Sequence, residues 1–230
     1  MRRNLVLSFL TAVSIVVTVG SCVSAEKDLL KDWRAEDASG KMQISVSGDT
    51  LDIISPDGVT LWYLPRLTGN YEISYKACMV MNGAETDRLS DLNCFWGAND
   101  PASPDDLFAN AEWRNGIFPR YKSLTLFYVG YGGNHNTTTR FRKYYGQGAD
   151  VPDEMARPVI AEYTDAEHLL KPNRWYSVRI VVKDGMTAYY VDDECLFLRK
   201  VEAGEADGNF ALRLLQNHVL IASFKVSSLQ

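Results

Sequence analysis

The chain has 230 residues, a formal charge of −5 and 46% hydrophobic residues, enough apolar material for one domain with a sizeable core. An acidic chain without a lysine-rich tail makes nucleic acid a poor partner. Its 4 cysteines are too few for a disulfide framework to carry the fold.

Arg2 and Arg3 precede an apolar run from Leu5 to Val19, followed by Gly20, Ser21 and Cys22. A basic start, a short apolar stretch and small residues predict a secretory signal peptide; the run is too short for a stable membrane span. Two cleavage points fit. Val19-Gly20-Ser21-Cys22 resembles a bacterial lipobox and would leave a lipid on Cys22, whereas Val23-Ser24-Ala25 fits an ordinary site. The lipobox is the preferred reading, because a cysteine just past such a run is otherwise uncommon. The expected organisation is a signal over 1–22, a lead-in over 23–40 and a single domain over 41–230. The expected location is the periplasm or the outer membrane, reached across the inner membrane, with membrane contact only through the lipid. Cys78, Cys94 and Cys195 remain, so at most one internal bridge can form, Cys78–Cys94 being the nearest pair.

Residues 26–38 predict a short helical or irregular start. Short alternating runs follow at 42–47 and 50–54, closed by Pro56-Asp57-Gly58, and another at 59–64 ends at Pro65. From Asn70 to Val80 alternation predicts Tyr71, Ile73, Tyr75, Ala77 and Met79 inward, with Glu72, Ser74, Lys76 and Cys78 on a solvated face. Leu92 to Gly97 is a further strand, and 99–120 a long loop with a helical turn near 106–112. Loops of this length in compact domains are often functional.

The stretch LTLFYVGYGGNHNTTTRFRKYY, 124–145, predicts a β-hairpin around Gly132-Gly133-Asn134. Its second arm places Asn136, Thr138, Arg140, Arg142 and Tyr144 on one face. An irregular stretch over 146–172 comes next. Strands follow at 174–183, 186–191 and 195–199, the first two joined by the hairpin signal Asp184-Gly185. Strands at 210–215 and 218–226 close the chain, and Trp62 and Trp175 are assigned to the core. So many short strands without a helical period predict an all-β sandwich or barrel.

Two stretches carry a family resemblance. RWYSVRIVVKDGMTAYYVDDECLFL and then GNFALRLLQNHVLIASFKVSSL resemble the concanavalin A-like lectin/glucanase jelly roll. The middle, YVGYGGNHNTTTRFRKY, resembles secreted members of that superfamily linked to bacterial polysaccharide utilisation. The resemblance implies a β-sandwich of two curved antiparallel sheets whose concave face binds a glycan. The Glu-x-Asp-x-Glu strand of the jelly-roll glucanases is missing. Asp192-Asp193-Glu194 is the nearest acidic cluster, and it reads as a solvated turn.

Between Trp113 and Ala149 there is no Asp or Glu, while Arg114, Arg120, Lys122, Arg140, Arg142 and Lys143 are all present. About five carboxylates would be expected there, so the window is an anion-site candidate unless its cations pair with acids from other strands. Arg140 and Arg142 could clamp a uronate or sulfate. The leading expectation is cleavage of an acidic polysaccharide by β-elimination. Arg140 would neutralise the carboxylate, and His135 and Tyr144 would move the protons. Arg142, Asn134, Asn136, Trp96, Trp113 and His218 are the expected sugar contacts. A non-catalytic glycan-binding module is the second expectation. A glycoside hydrolase is the third, with Glu112, Asp150 and Glu154 flanking the window without a motif. No cofactor is expected. Asn99, Asp100, Asp105 and Asp106 offer oxygens to calcium but lack a fixed spacing.

Overall fold

A computed structural model describes residues 29–148 and 150–230. The signal segment and Cys22 lie outside the described residues. The strands are β1 (Trp33–Asp37), β2 (Gln43–Ser47), β3 (Thr50–Leu67), β4 (Tyr71–Met79), β5 (Leu92–Asn99) and β6 (Thr125–Gly132). They continue as β7 (Thr138–Tyr145), β8 (Val159–Tyr163), β9 (Trp175–Lys183), β10 (Met186–Val191), β11 (Glu194–Lys200) and β12 (Gly208–Ser228). All pairings are antiparallel, and they build the expected jelly-roll sandwich.

β3 pairs with β12 along its whole length, from Thr50 opposite Ala222 to Leu67 opposite Gly208, and both strands serve both sheets. The first half of β3 and the second half of β12 join β2, β4, β9, β10 and β11. Their other halves join β1, β5, β6, β7 and β8. Pro56-Asp57-Gly58 therefore does not close a strand. Ser55 pairs with Asn217 and Gly58 with Leu215, which leaves Pro56 in a bulge where its missing N–H costs no ladder bond. Opposite it, Gln216 turns left-handed (φ 49°), so 210–226 is one bulged strand rather than two.

Alternation fills the space between the sheets. Tyr71, Ile73, Tyr75, Ala77 and Met79 are buried as expected and face Trp96, Phe127, Val129 and Phe141. Trp96 is fully buried, stacks on Phe127, Phe141 and Tyr189, and donates its Nε1–H to Thr187 Oγ1 at 2.9 Å. It is core, not a sugar platform. Cys78 is buried too, and Cys78, Cys94 and Cys195 are free thiols. Trp175 departs in the opposite direction and stands 44% exposed.

Two stretches read as irregular contain strands. β1 lies in the lead-in and pairs with β3, and β8 lies in 146–172 and pairs with β7. β8 is an edge strand exposed at four successive positions, so it shows no alternation to read.

The outer face of the second sheet holds a smaller core. The 100–124 segment forms a 3₁₀ turn (Leu107–Asn110), helix α1 (Ala111–Arg114) and a second 3₁₀ turn (Phe118–Ser123). It lays Leu107, Tyr121 and Leu124 over Trp62, Phe95, Leu126 and Tyr144. Each buried ring or leucine there contributes on the order of 2 kcal/mol. Arg114 pins the segment: fully buried, it reaches Glu36 Oε1 of β1 at 3.0 Å, Asp100 Oδ2 at 3.2 Å and the Leu107 carbonyl at 2.7 Å. At Gly116 (φ +75°) a Cβ would meet the Gly58 carbonyl at 2.5 Å and the Glu36 carbonyl at 2.8 Å, so only glycine lets the segment lie this close.

Candidate functional site

The rest of that face stays open, and strand register sets a polar row across it. Thr60 (β3) pairs with Arg213 (β12), Arg213 with Asn93 (β5), Asn93 with Gly130 (β6), Gly130 with Arg140 (β7) and Arg140 with Glu162 (β8). One row down, Tyr128 pairs with Arg142. Gly130 leaves a gap mid-row, and the Tyr128 hydroxyl reaches into it, 2.5 Å from where a Cβ at 130 would sit. The result is a pocket of about 170 Å³. Tyr128, Gly130, Arg140 and Arg142 make its floor, while Gly133, Asn134, Thr138 and Asp91 bound it near the hairpin tip. Phe118 from the covering segment and Arg157, just past helix α2 (Asp153–Ala156), complete the wall.

Charge is unevenly matched around this pocket. Arg140 Nε pairs with Glu162. Arg157 Nη2 pairs with Asp153 at 2.6 Å and its Nη1 donates to the Tyr144 hydroxyl at 3.1 Å. Asp91 is balanced by Arg88. Arg142 forms no ion pair among the described residues; its Nη1 donates to the Arg157 carbonyl at 2.6 Å. Burial, with Arg157 and Arg140 beside it, holds the Arg142 guanidinium below its ordinary pKa, against the pull of Tyr144 and Tyr128. Arg213, buried between the rings of Phe118 and Tyr121 (5.3 and 5.8 Å), likewise forms no ion pair among the described residues, and burial lowers its pKa. A desolvated cation without a counter-ion is unfavourable, and an arriving anion relieves it.

Two neutral groups are also unmatched. The Tyr128 hydroxyl has no hydrogen-bond partner among the described residues, and burial pushes its pKa well up. Asn93 Oδ1, on a side chain 5% exposed, has none either, although its amide donates to Asp91 Oδ1 at 3.1 Å.

The residues expected from sequence divide. Arg140, Arg142 and Asn134 line the pocket. Tyr144 shares their face but is sealed in the smaller core, 0% exposed; burial raises its pKa and Arg157 takes its hydroxyl. It cannot reach a sugar. Asn136 exchanges two backbone hydrogen bonds with Leu170, both 2.9 Å, so its amide is structural. His135 is exposed beside the pocket, in a turn where Asn134, His135 and Asn136 are successively left-handed (φ 53°, 58° and 58°). Asn is well suited to that conformation, and His135 contributes no pocket wall. His218 binds Asp52 at 2.7 Å with Asp87 at 3.7 Å, and it serves the β3–β12 pairing rather than the pocket. Trp113, 48% exposed under the Arg120 guanidinium, stands on α1 outside the pocket.

The acid-free window is mostly matched in space. Arg114, Lys122, Arg140 and Lys143 find Glu36 and Asp100, Asp153, Glu162, and Glu205. Of the calcium candidates, Asp100 is held by Arg114, Asn110 and the Ala102 N–H, and Asp106 caps Phe108. Tyr128, Arg157, Arg213 and Asp91 escaped the sequence reading. Tyr128 had a legible signal, lying on the pocket face of β6 opposite Arg142. Arg157 had none, since it arrives from a stretch without period.

An antiparallel jelly roll with a cationic pocket on one sheet places the chain in a large structural class. Similar solved structures include a Bacillus subtilis protein of unknown function with a galectin-like fold, TM-score 0.64 and 16% identity over 86% of this chain and 90% of that one. Another is the Bacillus subtilis carbohydrate-binding module CBM66, TM-score 0.52 and 12% identity over 86% and 96%. A third is the metal-free carbohydrate recognition domain of Emp46p, TM-score 0.56 and 11% identity over 87% and 89%. At these identities the likeness is one of fold. Comparison with curated proteins gives no match. By sequence the chain belongs to the family described as domain of unknown function DUF6250, whose model matches residues 53–224.

Proposed function

We propose that this protein binds an anionic glycan in the pocket over Tyr128 and Gly130, as a binding protein rather than a cleaving one. The observation that carries the reading is Arg142, half-buried between two other arginines with no carboxylate of its own among the described residues. Its fork can take a carboxylate or sulfate bidentately, and Tyr128, Thr138 and Asn134 can bond sugar hydroxyls. The carbohydrate-binding neighbours of the same fold support the choice of a sugar as ligand. The test is calorimetric titration with acidic and neutral polysaccharides at low and high salt. Acidic polymers should bind, more weakly as salt rises, and Arg142→Ala should abolish the heat. Equal binding of neutral polymers would sink the reading.

One observation favours a second reading, β-elimination at a uronate. The partnerless Tyr128 hydroxyl beside Arg142 sits where Tyr144 was expected to carry a proton, although its raised pKa suits an acid better than a base. Growth of unsaturated-uronate absorbance on incubation with acidic polymers, lost in Tyr128→Phe, would decide for cleavage. The amino-terminal segment supports export and a lipid on Cys22. Labelled fatty acid should enter the wild type and not Cys22→Ser.

A further inference from the structure

The pocket is short. Along the sheet, the ground where a sugar chain would continue toward β3 is occupied: Phe118 walls the pocket, and behind it Tyr121, Leu107 and Leu124 are packed on Trp62 and Phe95. Toward the hairpin tip the left-handed turn raises Gly133 and Asn134 as the opposite wall. The space between these walls, about 170 Å³ and open to solvent above, is room for about one six-membered ring, an enclosed cavity of about 150 Å³ being enough for benzene.

The pocket is also two-ended in charge. Arg142 and Arg157 lie toward Phe118, while Asp91, Asn134 and Thr138 lie toward the hairpin tip. A ring seated with its anionic group on the arginines presents hydroxyls to a carboxylate, an amide and a hydroxyl. Asp91 is already paired with Arg88 and Arg140 with Glu162, so that end holds no free cation for a second anionic group.

We infer that the pocket takes a single anionic pyranose residue at the end of a glycan chain or branch, and not an internal stretch of polymer. This rests on the anionic-glycan reading above and narrows it. The anionic group is a uronate carboxylate or a sugar sulfate ester, since both suit a guanidinium fork.

The test is calorimetry with free glucuronate, galacturonate and galactose 6-sulfate, each beside oligomers of two to six residues built from it. If the inference holds, one of the monosaccharides binds within about fivefold of its oligomer, and the number of proteins bound per oligomer stays at one as length grows. Whichever monosaccharide binds names the anionic group. Stoichiometry that rises with length, or oligomers binding a hundredfold tighter than every monosaccharide, overturns end recognition and leaves the anionic-glycan reading standing. Failure of every acidic probe overturns both.

Gly130→Ala adds an independent arm. Its backbone lies outside the left-handed region, so alanine adds no backbone strain there, while its Cβ would lie 2.5 Å from the Tyr128 hydroxyl and must push that ring into the space beneath the sugar. A lowered melting temperature in a protein that still unfolds cooperatively, with monosaccharide and oligomer binding lost together, at least tenfold, is the expected result. Oligomer binding that survives the substitution in a folded protein overturns the proposal.

Discussion

The outer face of the second sheet has two halves, and each holds an arginine from the same acid-free window. In the covered half Arg114 is fully buried and meets two carboxylates and a carbonyl. In the open half Arg142 meets one carbonyl and no carboxylate among the described residues. The strand chemistry is common to both; what differs is whether the chain folds its own anions onto the cation. A satisfied buried arginine is architecture, and an unsatisfied one is a demand on the solution.

The sharpest way to break this comparison is to remove each arginine in turn. Arg114→Met leaves Glu36 and Asp100 buried without a cation and should cost about 3–5 kcal/mol in urea unfolding. A loss below about 1 kcal/mol would mean that the covered half is not held by that pair. Arg142→Met should change stability by no more than about 1 kcal/mol, because it removes one hydrogen bond and some repulsion together. The same substitution should weaken anionic-glycan binding by about 1.5–3 kcal/mol, tenfold or more in Kd. If Arg142→Met unfolds the protein as Arg114→Met does, the two halves are alike and the contrast fails.

A smaller effect tests how the rim of the open half is held. His168 stacks on Tyr163 of β8 at 4.0 Å, and its ring nitrogens meet Asp165 at 2.7 Å and Glu194 of β11 at 3.2 Å. Those two carboxylates overcome its partial burial and raise the His168 pKa. A raised folded-state pKa stabilises fully below the unfolded value, about 6.5, and the benefit is lost as pH rises through the folded value. Asp165 is lowered, against its slight desolvation, chiefly by the His168 hydrogen bond. Its share is therefore present above the ordinary carboxylate range and lost in acid. Melting temperature should fall from mildly acid to mildly alkaline pH in the wild type, and His168→Gln should flatten that slope. An unaltered slope would remove His168 from the account. The least effect of all is on access to thiols. Alkylation of the native protein should label exposed Cys195 and spare Cys94, whose thiol is pushed up to about 12 by burial.

Sequence carried the fold well where strands alternate. β4, β6, β7 and β9 were legible because one face of each is core. β8 was not, since an edge strand with both faces wet has no period. The continuity of β3 and β12 was hidden because Pro56 and Gln216 look like breaks in one dimension and are a shared bulge in two. For the site, Arg140, Arg142 and Asn134 were legible from the hairpin face. Tyr144 misled because β7 is buried on both faces at that end, under a segment whose packing on Trp62 and Phe95 no alternation announces. The acid-free window misled in the same way. Charge counted along the chain treats Glu36, Asp153, Glu162 and Glu205 as distant, and the sheet makes each a neighbour.

The placement of β12 bears on the order in which the molecule can form. The most C-terminal of the described strands lies in the middle of both sheets, between β3 on one side and β5 and β4 on the other. Until residues 208–228 are available, β3 has no neighbour on that side and neither sheet can close. Closure joins segments far apart in sequence, Asp52 with Leu220 for example, the kind of pairing that makes β proteins slow to fold. On a ribosome releasing about 5–20 residues per second, both sheets thus stay open until residues 208–228 emerge.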